Sequence, residues 1–345
     1  MFGMNREEAI QLLSWYEESR RVLPWRQEPT PYHVWLSEIM LQQTRIEAVK
    51  PYYARFLAAC PTIKSLAEAP EEKVLKLWEG LGYYSRAKNL HKAAKEVWER
   101  FDGNLPGNPE QLAKLPGIGE YTQKAILAIA FQKPYIAVDG NLLRVYARLN
   151  AKRFSAIDQS LKKEAESFFQ KAFPLHRPGD YNQALMDLGE IVCLPNGVPL
   201  CEECPCKGFC LAHRNGDEAS YPGERAKKAK KSGDIDVFLL KKDNRYAIRK
   251  RGENGLLAGL YEFPNHQGRT KKAKRKALLE EIGLKVVSET PVGEATHVFT
   301  HLIWHMKGYL IEVEGDGEGL LFLTPEEIKE RYSIPSAFSY YLNLI

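Results

Sequence analysis

Five of the chain's six cysteines crowd into one stretch, CLPNGVPLCEECPCKGFC, from Cys193 to Cys210, and only Cys60 stands apart. That crowding limits what the segment can become. In a reducing compartment, closely spaced thiols read as metal ligands rather than disulfides. Cys193, Cys201, Cys204 and Cys210 form a C-x7-C-x2-C-x5-C pattern, compact enough to close around one centre. Four thiolates suit either zinc or an iron–sulfur cluster. Cys206 is a possible substitute ligand, and Cys60 reads as a core residue.

The cluster closes a long helical region. From Arg6 to about Ala212, segments such as EEAIQLLSWYEESR and EEKVLKLWEGL place apolar residues three or four apart, the spacing of amphipathic helices. Composition changes at Tyr221-Pro222-Gly223, and the charged ERAKKAKKSG that follows has a linker's character. Beyond it DVFLLKK, RYAIRKR and HLIWHMKGYLIEVEG read as strands, and TKKAKRKALLEEIG as a helix among them. The expected organisation is a mainly α domain over residues 1–221, a linker over 222–233 and an α+β domain over 234–345. A chain of 345 residues with 44% hydrophobic content can build two such cores. It carries no apolar run of about 18 residues, and its first residues lack a secretory layout. We therefore expect an intracellular, cytoplasmic protein with no membrane partner. A net charge of +5 fits a polyanionic partner but excludes little.

Two further motifs could carry chemistry. In LPGIGEYT, residues 115–122, Gly117 and Gly119 form a tight turn before the apolar helix KAILAIAF. Such a turn lets backbone N–H groups approach a phosphate, although many helix-to-helix turns need glycine for conformational reasons alone. VDGN, residues 138–141, follows by a short loop. Its Asp139 can cap the next helix or present a carboxylate to a substrate, and capping is the commoner job.

Taken together, a glycine-rich hairpin, an aspartate shortly after it and a closing four-cysteine cluster resemble the endonuclease III superfamily of helix-hairpin-helix DNA glycosylases. In that family the cluster is [4Fe-4S]. The usual first gap holds six residues, whereas this chain has seven between Cys193 and Cys201. Lyase-competent members carry a lysine in the hairpin, and Tyr121 stands at that place here. A phenol forms no Schiff base, and Lys124 is three residues further along the helix, pointing elsewhere. RVLPWRQEPTPYHVWLSEIMLQQTR at 21–45 and GLGYYSRAKNL at 80–90 look like the MutY-type branch, which removes adenine mispaired with 8-oxoguanine.

By that resemblance Glu38 is the catalytic acid and Asp139 stabilises an oxocarbenium-like sugar, with Tyr121 and Asn141 as positioning groups beside the sugar. Read alone, Glu38 on its helix is an exposed surface carboxylate. The resemblance also implies an adenine pocket of Trp25, Arg26, Leu41 and Gln183, DNA contacts from Gly117 and Gly119, and Gln43 and Tyr83 filling the gap left by the extruded base. The implied partner is double-stranded DNA with A:8-oxoguanine or A:G mispairs, bound by a monomer.

In the second half KALLEEIGL, residues 276–284, resembles the core of a Nudix box in which Lys276 and Ala277 replace Arg-Glu. Losing that carboxylate removes a metal ligand, so a recognition domain is expected rather than a diphosphate hydrolase. HVFTHLIW at 297–304 looks like the branch's 8-oxoguanine-sensing loop, with Phe299, Thr300 and His301 at its Phe-Ser-His positions. A plain edge strand is the alternative. The six basic side chains of GRTKKAKRKA could meet phosphate, but read more simply as a solvated helix end. The rival functions are a bifunctional endonuclease III-type glycosylase and lyase, which Tyr121 opposes; a catalytically silent mispair binder; and a Nudix hydrolase, which Ala277 opposes.

Overall fold

In a computed structural model, residues 3–154, 157–223 and 229–345 are described. The N-terminal part is built from helices with clear local causes. α1 (Arg6–Ser19) starts at a capping box formed by Asn5 and Glu8. A short α2 (Pro24–Gln27) and α3 (Pro31–Leu41) each have proline in the first turn, and Thr30 caps α3. There follow α4 (Ile46–Ala59), α5 (Ile63–Glu68), α6 (Glu71–Trp78), α7 (Ser85–Phe101), α8 (Pro109–Leu112), α9 (Glu120–Ile129), α10 (Gly140–Leu149), α11 (Gln159–Gln170), α12 (Pro178–Asp187) and α13 (Leu211–Asn215). A turn of π-helix, Leu188–Val192, continues α12 toward Cys193.

Contacts divide the chain into two compact units, Met1–Glu68 with Asn89–Ala226, and Ala69–Lys88 with Lys227–Ile345. In the first unit α3 packs on α4 and α9, and α12 packs on α1 and α9. A helix in that position is enclosed all round, and from Tyr32 to Met40 only His33 lies outside the buried set. A second cluster, including Leu12, Leu142, Leu185 and Phe169, gathers α1, α10, α11 and α12.

The second unit has a sheet of seven strands: β1 (Lys231–Lys242), β2 (Arg245–Lys250), β3 (Tyr261–Glu262), β4 (Asn265–Gln267), β5 (Lys285–Val298), β6 (Leu302–Glu314) and β7 (Leu321–Leu323). The main path runs β3-β2-β1-β6-β5, with β4 paired to β1 and β7 to β2. β1 and β6 are parallel over a long register, and β5 and β6 form an antiparallel hairpin. Ile235, Val237 and Leu239 face one core with α15 (Pro325–Arg331) and α16 (Ser339–Leu342), while Phe238 and Leu240 face the other with α14 (Lys272–Glu281). Covering both faces explains why β1 reads as a continuous apolar run. The fold is thus a helical domain with an α+β domain, as the sequence indicates. β1 starts at Lys231, so the last three residues of the expected linker belong to the strand, and linker residues 224–228 lie outside the described residues. No helix among the described residues is long and apolar enough to cross a membrane.

Candidate functional site

Burial of α3 has a chemical result: it carries the carboxyl of Glu38 into the protein. Glu38 is 7% exposed, contrary to the surface position its helix alone suggested. It lines a cleft of about 680 Å³ in the first unit, together with Trp25, Arg26, Leu41, Gln43, Tyr121, Asp139, Asn141 and Gln183. Burial pushes the Glu38 carboxyl up to about 7. The hydrogen bond from Tyr121 opposes this, Asp139 adds to it, Arg26 opposes it and Glu190 adds to it. A carboxyl near 7 holds a proton through part of the neutral range and can give it up.

Asp139 caps α10, the commoner of its two expected jobs, and also lines the cleft. Its Oδ1 accepts from the Leu142 N–H at 2.7 Å. Burial raises its pKa, and the hydrogen bonds from Leu142 and Asn141 pull it back. Asn141, two residues on, is tied to Arg144, whose Nη2 donates to the amide oxygen at 3.1 Å. Arg144 also donates from Nε to the Cys193 carbonyl at 2.9 Å and from Nη2 to the Gly189 carbonyl at 2.6 Å. A Cβ at Gly189 would lie 3.0 Å from the Asn141 Cβ.

The hairpin behind Tyr121 is shaped by one glycine more than the other. Gly117 has φ +80° and a Cβ there would meet the Asn89 Cβ at 2.9 Å. Gly119 has ordinary backbone angles and open space, and leaves the first N–H groups of α9 without a side-chain cap. Lys124 is not a cleft residue; it pairs with Glu120 and Glu166, each at 2.8 Å. Gln43, with φ 57°, and Tyr83, with φ 49°, both occupy the left-handed region, uncommon for such side chains and frequent at functional sites.

Of the residues that line the cleft, sequence reading passed over Arg21, Met186 and Glu190, and it also passed over Asp187, which binds Arg21 and Arg26 from outside the lining. Met186, Asp187 and Glu190 continue from Gln183 at helical spacing, which is the signal that could have found them. Asp187 is fully buried. Its Oδ2 accepts from Arg26 Nη1 at 2.7 Å and its Oδ1 from Arg26 Nη2 and Arg21 Nε, both at 2.9 Å. Arg21 also reaches Glu190 at 2.9 Å.

All five clustered cysteines line a second, small cavity of this unit, with Arg148, His213 and Glu218. Arg148 Nη1 donates to Cys193 Sγ at 3.2 Å, and Cys210 Sγ donates to the Arg148 carbonyl at 3.4 Å. Burial pushes the thiols of Cys201 and Cys210 up, to about 12 and about 11. Thiols gathered beside Arg144 and Arg148, with Cys193, Cys201 and Cys210 raised by burial, are a donor set that a cationic centre would stabilise as thiolates. The set is compatible with an iron–sulfur cluster. The ligand atoms of Cys201, His213 and Glu218 also lie within 4.8 Å of one another. Cys60 is fully buried in the helical core.

In the second unit Phe299, Thr300 and His301 form the tip joining β5 to β6, not an edge strand. Phe299 packs edge-on against His297 and Trp304, at 4.5 and 4.9 Å, leaving Thr300 and His301 exposed. The Thr300 hydroxyl is 2.7 Å from that of Tyr83. On α14 Lys276 pairs with Glu280, and Ala277 is exposed.

Residues 36–174 match the family described as HhH-GPD superfamily base excision DNA repair protein, and residues 236–344 match the NUDIX domain. The adenine DNA glycosylase of Buchnera aphidicola is 33% identical, over 88% of this chain and 85% of its own. That of Homo sapiens is 31% identical, over 92% of this chain and 70% of its own. Among solved structures, a thermostable thymine-DNA glycosylase aligns with a TM-score of 0.54 and 28% identity, over 60% of this chain and 95% of that one. With a buried carboxyl poised near neutrality in a cleft behind a glycine hairpin, the chain belongs to the adenine DNA glycosylases, enzymes of base-excision repair.

Proposed function

We propose that this glycosylase acts as a monofunctional enzyme on adenine opposite 8-oxoguanine or guanine, with Glu38 as proton donor and Asp139 as the anion facing the sugar. The observation that carries this reading is the pair itself. Burial raises both carboxyls, Glu38 to about 7, and at Asp139 the N–H groups of Leu142 and Asn141 offset part of that rise. Two carboxyls in different surroundings, one to give a proton and one to face the developing cation, are the arrangement that breaks glycosidic bonds.

Glu38 gives its proton to a ring nitrogen of adenine, and the glycosidic electron pair leaves with the base. Positive charge develops on the sugar beside Asp139, and water completes the hydrolysis. Tyr121 and Asn141 hold these groups in place, and Trp25, Arg26, Leu41 and Gln183 receive the extruded adenine. Gln43 and Tyr83 fill the vacated stack, at a cost of a few kcal/mol recovered from contacts with the opened duplex. Strand cleavage has no amine to begin it, since Tyr121 replaces the lysine and Lys124 is committed to Glu120 and Glu166. Gly117 and Gly119 let the phosphate backbone approach the N-terminus of α9. Phe299, Thr300 and His301 sense the opposite base, with Thr300 offering the hydroxyl.

Cys193, Cys201, Cys204 and Cys210 would hold a [4Fe-4S] cluster, which when bound supplies a rigid, charged anchor for the loop. Single-turnover assays on a duplex with adenine opposite 8-oxoguanine, read with and without alkali, test the proposal. We expect breaks at the adenine only after alkali. Breaks without alkali would restore the lyase reading, and no breaks would leave a silent binder.

A further inference from the structure

Glu38 faces four charged or titratable groups: Tyr121 from α9, Asp139 ahead of α10, Arg26 from α2 and Glu190 from the π turn. Arg26 is the cation among them, and it draws the proton off Glu38. An acid catalyst opposite a free guanidinium would be spent at neutral pH, so the cleft wall needs a counter-charge for Arg26. Asp187 provides it. Both its oxygens are engaged, one by Arg26 alone and the other shared between Arg26 and Arg21. Arg21 in turn binds Glu190, so two cations meet two anions in one closed network.

We infer that Asp187 is a positioning residue for the acid step, gathering Arg21 and Arg26 into a neutral fork so that no free cation faces Glu38. The inference rests on Glu38 being the proton donor. It also gives the network a geometric role, because a two-pronged hold on Arg26 fixes the guanidinium plane that borders the adenine pocket. Asp187 touches neither base nor sugar and acts through the arginines. It is the last residue of α12, where the π turn begins, so the same backbone irregularity that leads to Cys193 also aims this carboxylate.

The test is the pH dependence of single-turnover adenine release by the full-length enzyme, from about pH 5 to about pH 9. In wild type the rate falls as Glu38 loses its proton. In Asp187→Asn two cations face Glu190 alone, so the falling limb moves down by about one pH unit. The rate at pH 7.5 then drops by about tenfold, while that at the acidic end approaches wild type. Asp187→Glu restores most of the limb's position. Arg21→Met removes a cation from a partly exposed side chain and moves the limb upward, which keeps the test usable should Asp187→Asn fail to fold.

A uniform loss at every pH in Asp187→Asn, or a limb unmoved in Arg21→Met, would overturn the inference. Glu38→Gln run alongside separates the two levels. If it retains wild-type release, the proton donor itself is misassigned. If it is inactive while both other variants keep the wild-type limb, only the role of Asp187 fails.

Discussion

Glu38 illustrates the conflict between stability and chemistry in one side chain. Its folded carboxyl binds a proton more tightly than its unfolded one, about 7 against 4.5. The associated stability is therefore complete below the unfolded value and is lost as pH rises through the folded one. A gap of that size corresponds to about 3 kcal/mol. We expect Glu38→Gln to abolish adenine release while leaving DNA binding intact. We also expect it to raise the melting temperature near about pH 8 but not near about pH 4. Calorimetry at the two pH values checks the second expectation. A melting temperature equally changed at both would mean that the substitution acts through packing. Glu38's neighbours Trp35, Leu36, Ile39 and Met40 are apolar enough to raise its carboxyl once enclosed, but alone they fit a surface helix equally well. The enclosure of α3 by α4 and α9, a tertiary fact, is what buries that carboxyl.

Elements were easier to read than the residues they carry. The helical pattern, the strands DVFLLKK and HLIWHMKGYLIEVEG and the helix TKKAKRKALLEEIG all appear in the fold. Periodicity and capping are local properties, and the chain satisfies them locally. The hairpin is a case where sequence marks two glycines but cannot rank them. Gly117 requires its positive φ and has Asn89 against it, whereas Gly119 has neither constraint. We therefore expect Gly117→Ala to weaken DNA binding at least tenfold and to lower stability by about 1 kcal/mol or more. Gly119→Ala should leave stability within about 0.5 kcal/mol. Binding isotherms and denaturant titrations distinguish them. The residues missed at the cleft and behind it have a different cause. Asp187 and Glu190 look like ordinary helix charges until the fold brings Arg21 and Arg26 to them from the far end of the unit's sequence.

At the scale of the whole molecule, the proposed function gives excision to the cleft of the first unit and recognition of the opposite base to the second. In the second unit the β5–β6 hairpin is long, and its tip is braced by Phe299 on Trp304, so Thr300 is presented on a stiff support. The Thr300 hydroxyl already has a partner in Tyr83, which any contact with a lesion base must share or replace. We expect Thr300→Ala to reduce the preference for 8-oxoguanine over guanine by about tenfold with little change in the maximal rate. Single-turnover rates on the two mispairs measure it. Equal loss on both would assign Thr300 to general DNA contact. In the first unit Gly189 holds an opposite kind of importance, lying where the turn toward the cysteines grazes the backbone of Asn141. A methyl group there would alter no charge and remove no ligand. Gly189→Ala would therefore probe the seat of Asn141 by itself, since the added carbon meets the Asn141 Cβ at 3.0 Å and that side chain must give by a few tenths of an ångström.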